Sequence, residues 1–328
     1  MIQREILFKK EGDILEKIIL SNEYLTIELL NYGARWHKTI MPDRFGNLEN
    51  VMLSLDEDKV ENILTDNAQF GATVGPIAGR IKNGYINEHI QLEKNLSEKH
   101  NLHSSPYGWD QCFFDIKIVD EQTVAFTLKY SNSPFADEIS LSVQYQLIEN
   151  QVIHTMEVIS DENTYINPTN HSYFNLSGNA KQPIEYSHEL LIDASFVLET
   201  DLEKIPTGNL IENTDFKELT AIPFCAQLDH CFVLEKIRQQ TPDLILSEKI
   251  SGRQLSIKTS RSCLVVFSAT HMKLPIFVNG QKMSSQLGLA IEPQEEIEIL
   301  RHPDWGSIYL PKGQTKRYQT NYTFQTST

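Results

Sequence analysis

Between Ile139 and Val158 apolar and polar residues alternate with a period of two. Ile139, Leu141, Val143, Tyr145 and Leu147 are separated by Ser140, Ser142, Gln144 and Gln146, and the pattern resumes at Val152, His154, Met156 and Val158. Successive side chains of a strand point to opposite faces, so this segment buries one face and turns the other to water or a second layer. Glu149-Asn150 between the two runs is the tight turn of a hairpin. The same alternation recurs at Leu25, Ile27 and Leu29 and at Val124, Phe126 and Leu128, while Leu264–Phe267 is continuously apolar, as in a strand covered on both faces. Turn residues punctuate the chain at Pro42-Asp43 to Gly46-Asn47, Asn83-Gly84, Ser177-Gly178-Asn179, Pro206-Thr207-Gly208 and Pro311-Lys312-Gly313. Helical periodicity is weak: one short helix is expected within Asp56–Leu64, capped by Asp56. Strands do not alternate with long helices, which disfavours a doubly wound sheet. The expectation is an all-β sandwich with few short helices, in a single domain over residues 1–328.

Charge narrows the partners. Lys and Arg number 29 against 44 Asp and Glu, a net charge of −15, and a surface that negative repels a phosphate backbone, so no nucleic-acid partner is expected. The start MIQREILFKKEGD lacks the apolar run of a signal peptide, and no segment approaches the roughly 20 apolar residues that cross a bilayer. A cytoplasmic protein without a membrane partner is expected. Cys112, Cys225, Cys231 and Cys263 show no C-x-x-C spacing and are read as reduced structural thiols. No G-x-S-x-G or H-E-x-x-H is present, and His100 and His103 have no third ligand near them in the sequence, so no catalytic metal is expected.

Four segments carry ionisable residues in settings unlike plain strands. Gly71–Gly84, GATVGPIAGRIKNG, places Arg80 among glycines that permit close backbone approach; a bulged strand with Arg80 in a surface ion pair fits equally well. Asn101-Leu102-His103 precedes the loop Ser104–Asp110, where Tyr107 and Trp109 suggest the lining of a sugar pocket; an ordinary turn is the alternative. In Asn167–Gly178, Pro168 and Asn170 interrupt regular structure just before His171, an imidazole able to titrate near neutral pH or simply to bond a core carbonyl. Glu292 follows the apolar Leu289-Ala290-Ile291 and precedes Pro293, which puts it at a strand end, and Glu295 and Glu296 read as solvated. Leu228-Asp229-His230 adds a carboxylate entering the strand Cys231–Leu234.

Taken in order, these motifs resemble the aldose 1-epimerase (galactose mutarotase) family nearly end to end. Asn31-Tyr32-Gly33-Ala34 resembles its early N-Y-G-A, Gly75–Gly84 its G-R-x-A-x-R-I-x-x-G, Asn101-Leu102-His103 its N-x-L-H-G-G, and Thr169–Leu176 its T-N-H-S-Y-F-N-L without a gap. Pro206-Thr207-Gly208, Leu228-Asp229-His230 and Ile291-Glu292-Pro293-Gln294 resemble its P-T-G, L-D-H and L-E-x-Q. The chain departs from the pattern at Pro76-Ile77, where an arginine is usual, at Ser104-Ser105 in place of Gly-Gly, and at Glu295–Glu298 in place of P-D-A-x-N. The last two bear on substrate preference.

The resemblance implies a galactose mutarotase-like supersandwich, a large antiparallel β-sandwich with an open sugar cleft. It implies Glu292 as general base, His171 as general acid, and Arg80, His103 and Asp229 as sugar-binding residues. The implied reaction interconverts the α and β anomers of a free aldose such as galactose or glucose, with a small sugar as partner and no cofactor, in a monomer or homodimer. A non-catalytic sugar sensor and a hexose-6-phosphate 1-epimerase are the alternatives; the latter needs a second cation beside Arg80, for which Arg253, Arg261 and Lys82 are candidates.

Overall fold

The computed structural model describes every residue except 132, 224–226, 236–239, 271, 273 and 328. Three antiparallel sheets carry the architecture. The largest has nine strands, in the order Thr220–Ala221, His188–Ile192, Leu244–Glu248, Arg253–Thr259, Thr315–Thr326, Gln151–Ser160, Glu138–Ile148, Thr123–Ser131 and Asp115–Asp120. A six-stranded sheet runs Tyr173–Phe174, Leu289–Gln294, Cys263–Phe267, Asp229–Leu234, Ala194–Thr200, Pro206–Glu212. Five N-terminal strands, from Ile2–Lys10 to Leu48–Asn50, form the third. The expected all-β class and hairpin are present: Ile148 pairs with Gln151 across Glu149-Asn150, and burial alternates residue by residue along Glu138–Ile148.

Trp36 joins the sheets. It lies in the N-terminal sheet, fully buried, and its ring meets Tyr145, Tyr322 and Phe324 of the nine-stranded sheet and Phe174 of the six-stranded sheet edge-on, at centroid distances of 5.0–6.2 Å. Edge-to-face geometry suits aromatic quadrupoles, and a ring this large anchors several layers at once.

Two local expectations change. The helix spans only Val60–Leu64, and Asp56 does not cap it: its carboxylate accepts the N–H of Gly280 at 2.8 Å. A tertiary partner has taken the side chain that local pattern assigned to a cap. Pro206-Thr207-Gly208 lies within a strand rather than a turn. Cys112, Cys231 and Cys263 are free thiols; Cys225 lies outside the described residues.

Candidate active site

Glu292 is not at a strand end. It is the fourth residue of Leu289–Gln294, inside the six-stranded sheet. Pro293 is tolerated there for a visible reason. The Ile291 N–H points away from the Cys263–Phe267 strand, to Ser172 O, so position 293 also directs its nitrogen to that side. The adjoining strand Tyr173–Phe174 pairs only with Leu289 and Ala290, so no ladder bond is lost at Pro293, and Thr169 Oγ1 bonds its carbonyl at 2.9 Å. Residues paired across strands share a face. Glu292, Val265 and Cys231 therefore form one row, and Tyr173, Ala290, Phe267 and Asp229 form the next row on the same face.

Thr169–Leu176 supplies the facing imidazole. The side chains of Asn170 and Ser172 are buried and bonded to each other, and Asn170 Nδ2 also reaches Gly71 O (2.9 Å) and Tyr145 Oη (3.2 Å). These bonds fix the backbone on one side and leave His171 and Tyr173 together on the other, with ring centroids 5.0 Å apart. His171 Nε2 lies 3.3 Å from Glu292 Oε1, and both side chains are 5% exposed. The two segments are stitched directly: Asn167 Nδ2 donates to Glu295 O and Glu295 N–H to Asn167 Oδ1, at 3.1 and 3.0 Å.

Around this pair the structure gathers the three other residues singled out in the sequence. Arg80 and Asp229 form a two-point ion pair (2.9 and 3.4 Å), each side chain about one-fifth exposed, 22% and 21%. Exposure therefore rises from the Glu292–His171 floor to the Arg80–Asp229 rim. His103 stands edge-on to His171 at 5.5 Å. Its Nδ1 accepts the N–H of Gly79 at 3.1 Å, which leaves the proton of the neutral ring on Nε2. Burial, then the charges of His171 and Arg80, push the His103 pKa well below the usual imidazole value, so the ring stays neutral. Burial is also the main force on Glu292 and raises its pKa; Asp229 adds to the rise, and His171 and Arg80 oppose it. Tyr173 is held as a neutral phenol, raised well above its usual range by burial and then by Glu292, Asp66 and Asp229.

Sequence reasoning missed Tyr173, although its position two residues after His171 in an extended segment is the signal that places it on the same face. It misplaced the aromatic lining. Trp109 is fully buried, and a Cβ at Gly75 would come within 2.4 Å of its ring, so it is a core residue seated on a glycine. Tyr107 packs against the same core. Glu295 and Glu296 are not solvated: Glu295 pairs with the buried Arg261, and Glu296, itself buried, accepts from Ser262 Oγ at 2.6 Å. Two of the departures from the family pattern meet each other. Ser104 has φ 60°, a left-handed conformation that glycine adopts more readily, and its buried hydroxyl bonds both the N–H and the carbonyl of Ile77 at 2.9 Å. Arg253 and Arg261 are fully buried on structural partners, Arg253 on Leu176 O and Glu49, Arg261 on Pro168 O and Asn167.

The wall behind His171 depends on one buried ion pair. Arg35 Nη1 and Asp66 Oδ2 are 2.6 Å apart with both side chains 1% exposed, and Asp66 also accepts the N–H groups of Ala68 and Phe70. That loop accepts the Tyr173 hydroxyl at Ala68 O and donates Gly71 N–H to His171 O. Arg35→Met strands the carboxylate, and a loss of about 3–5 kcal/mol is expected in urea unfolding.

Residues 16–323 match the sequence profile of aldose 1-epimerases. The chain belongs to the aldose 1-epimerase family. It is 29% identical to the aldose 1-epimerase of Haemophilus influenzae, over 93% of this chain and 94% of that one. It is 25% identical to the galactose mutarotase of Mus musculus, over 95% of each. Among solved structures, galactose 1-epimerase from Lactobacillus acidophilus superposes with a TM-score of 0.84 at 25% identity, covering 100% of this chain and 99% of that one. An aldose epimerase homologue from C. elegans gives 0.85 at 24% identity, over 96% and 100%, a likeness of fold. The antiparallel supersandwich expected from the epimerase resemblance is thus the fold observed.

Proposed function

We propose that this protein catalyses the interconversion of the α and β anomers of a free aldose, galactose or glucose being the first candidates. The observation that carries the reading is the 3.3 Å approach of His171 Nε2 to Glu292 Oε1, with His103 edge-on to His171 and the partly exposed Arg80–Asp229 pair beside them. Mutarotation removes a proton from the C1 hydroxyl and adds one to the ring oxygen. Both oxygens are bonded to the same carbon, so the base and the acid must themselves be neighbours.

In this mechanism the Glu292 carboxylate takes the O1 proton while protonated His171 gives its proton to the ring oxygen. The C1–O5 bond breaks, leaving the open-chain aldehyde, protonated Glu292 and neutral His171. Rotation about C1–C2 presents the other face of the aldehyde. The C5 hydroxyl then attacks C1, returning its proton to His171, and Glu292 protonates the former carbonyl oxygen. Both groups end as they began. His103, neutral with its proton on Nε2, is a hydrogen-bond donor to a sugar hydroxyl, and Arg80 and Asp229 offer donors and an acceptor side by side. Fixing the ring this way places both reacting oxygens within reach of their partners.

Of the three candidates for the second cation that a 6-phosphate needs, Arg253 and Arg261 are occupied inside the core and Lys82 is exposed, so two of the three support a free aldose over a sugar phosphate. The test is polarimetry or NMR on freshly dissolved α-glucose, α-galactose and glucose 6-phosphate. Catalysed equilibration of a free sugar is expected, with little or none for the phosphate. Unchanged equilibration rates for every sugar defeat the proposal.

A further inference from the structure

The Glu292 face of the six-stranded sheet does not end at the five residues above. Beyond Glu292 its row continues through Val265 and Cys231, and these pack with Leu198, Cys263 and Ile297 into a small apolar cluster. Trp305 lies against that cluster. The segment that follows Glu292 brings it there. Ile297 folds back onto Gly79, whose neighbour is Arg80 (a Cβ on Gly79 would meet Ile297 at 3.2 Å), and Glu298 accepts the Lys82 N–H at 2.9 Å. The short helix Ile299–Arg301 then turns the chain, and Trp305 N–H bonds His302 O at 3.0 Å.

Trp305 is held in a stack. The His302 ring lies parallel to it, with centroids 4.1 Å apart and an interplanar angle of 15°. Behind His302 is Gly208, where an added Cβ would come within 2.6 Å of the imidazole. That glycine belongs to the Pro206-Thr207-Gly208 motif, which the acid–base chemistry does not use. Its lack of a side chain is what lets the stack lie down on the edge of the sheet. Cys231 is two residues from Asp229 on one strand face, about 6–7 Å along the strand. The cluster that the indole packs against adjoins Glu292 through Val265 and Asp229 through Cys231, and the indole, which also touches the main core, is half-buried, whereas Trp36 and Trp109 are fully buried.

The geometry points to Trp305 as a specificity residue of this site, held by His302 and Gly208, that packs against the apolar C–H surface of a pyranose ring. This rests on the sugar-cleft reading above. The ring is either that of the reacting aldose or the second ring of a reducing disaccharide; the chemistry is the same, and the choice of sugars in the assay separates them.

Because the other two tryptophans are fully buried, Trp305 is also the natural reporter. Titration of the intact protein with galactose, glucose and maltose should change its tryptophan emission saturably, and Trp305→Phe should lose most of that change. Trp305→Ala should raise KM about 5–10-fold with kcat within about twofold, and Trp305→Phe should keep KM near the parent value. A rise for all three sugars places the contact on the reacting ring; a rise confined to maltose places it on the second ring. Unchanged KM in Trp305→Ala for every sugar, with a folded protein by circular dichroism, overturns the assignment. Emission is read at equilibrium, so the two readings fail separately. Sugar-dependent emission without anomer exchange sinks the catalytic proposal and keeps Trp305; exchange with parental KM in Trp305→Ala does the reverse.

Discussion

Under the proposed function, Glu292→Gln is expected to lower kcat for anomer exchange by about 10³-fold while sugar binding stays within a few-fold of the parent, because a single positioned acid or base contributes on the order of 10²–10⁴-fold and the amide cannot accept the O1 proton. Polarimetry on α-galactose gives the first number and calorimetric titration the second. Loss of binding together with rate would mean that Glu292 holds the sugar and does not act on it. The same substitution has a stability signature with a fixed sign. Burial raises the Glu292 pKa above its ordinary 4.5, so the folded protein retains a proton that the unfolded chain releases. Stability therefore falls as pH rises through that window, and above it the ionised carboxylate is a constant cost. Glu292→Gln removes that cost, so the variant should gain in Tm over the parent at neutral pH, and the gain should vanish below the ordinary carboxylate range, where both forms are uncharged. The acid limb of the parent's rate profile should likewise lie above the ordinary carboxylate range.

His171→Asn is expected to cost about 10²–10³-fold in kcat, with KM little changed, since asparagine fills the space and offers a donor but cannot give up a proton at neutral pH. The informative measurement is the double variant. If the two groups move one pair of protons in concert, Glu292→Gln with His171→Asn should be no slower than the worse single variant by more than about tenfold, far short of the product of the two losses. Multiplicative losses would show two groups acting in separate steps, and the 3.3 Å contact would then be incidental.

Much of the fold is legible in the sequence alone. Period-two alternation at Ile139–Val158 identified a hairpin because one face of that sheet is buried along its whole length. The residues that the structure gathers around Glu292 and His171 were legible as types in unusual settings, and the family resemblance supplied the roles proposed for them. What could not be read was anything decided by a partner far away in the chain. Glu292 looked like a strand end because Pro293 follows it, but the Tyr173–Phe174 ladder on the edge where that proline removes a donor reaches only Ala290. Glu296 looked solvated because nothing in its neighbourhood reveals Ser262. Trp109 looked like a sugar platform because a loop with Tyr, Trp and Gly resembles one, yet Gly75 had already made room for it in the core. In each case local chemistry was read correctly and long-range pairing reassigned it.

That dependence on distant pairing extends to the making of the protein. The strand Thr315–Thr326 sits between Arg253–Thr259 and Gln151–Ser160 inside the nine-stranded sheet. During synthesis those two strands leave the ribosome first, each with an open hydrogen-bonding edge, and wait for a partner translated after every other strand of the sheet. Until it arrives the halves of the sheet cannot close on each other, so the nascent chain presents adhesive edges through the second half of its translation.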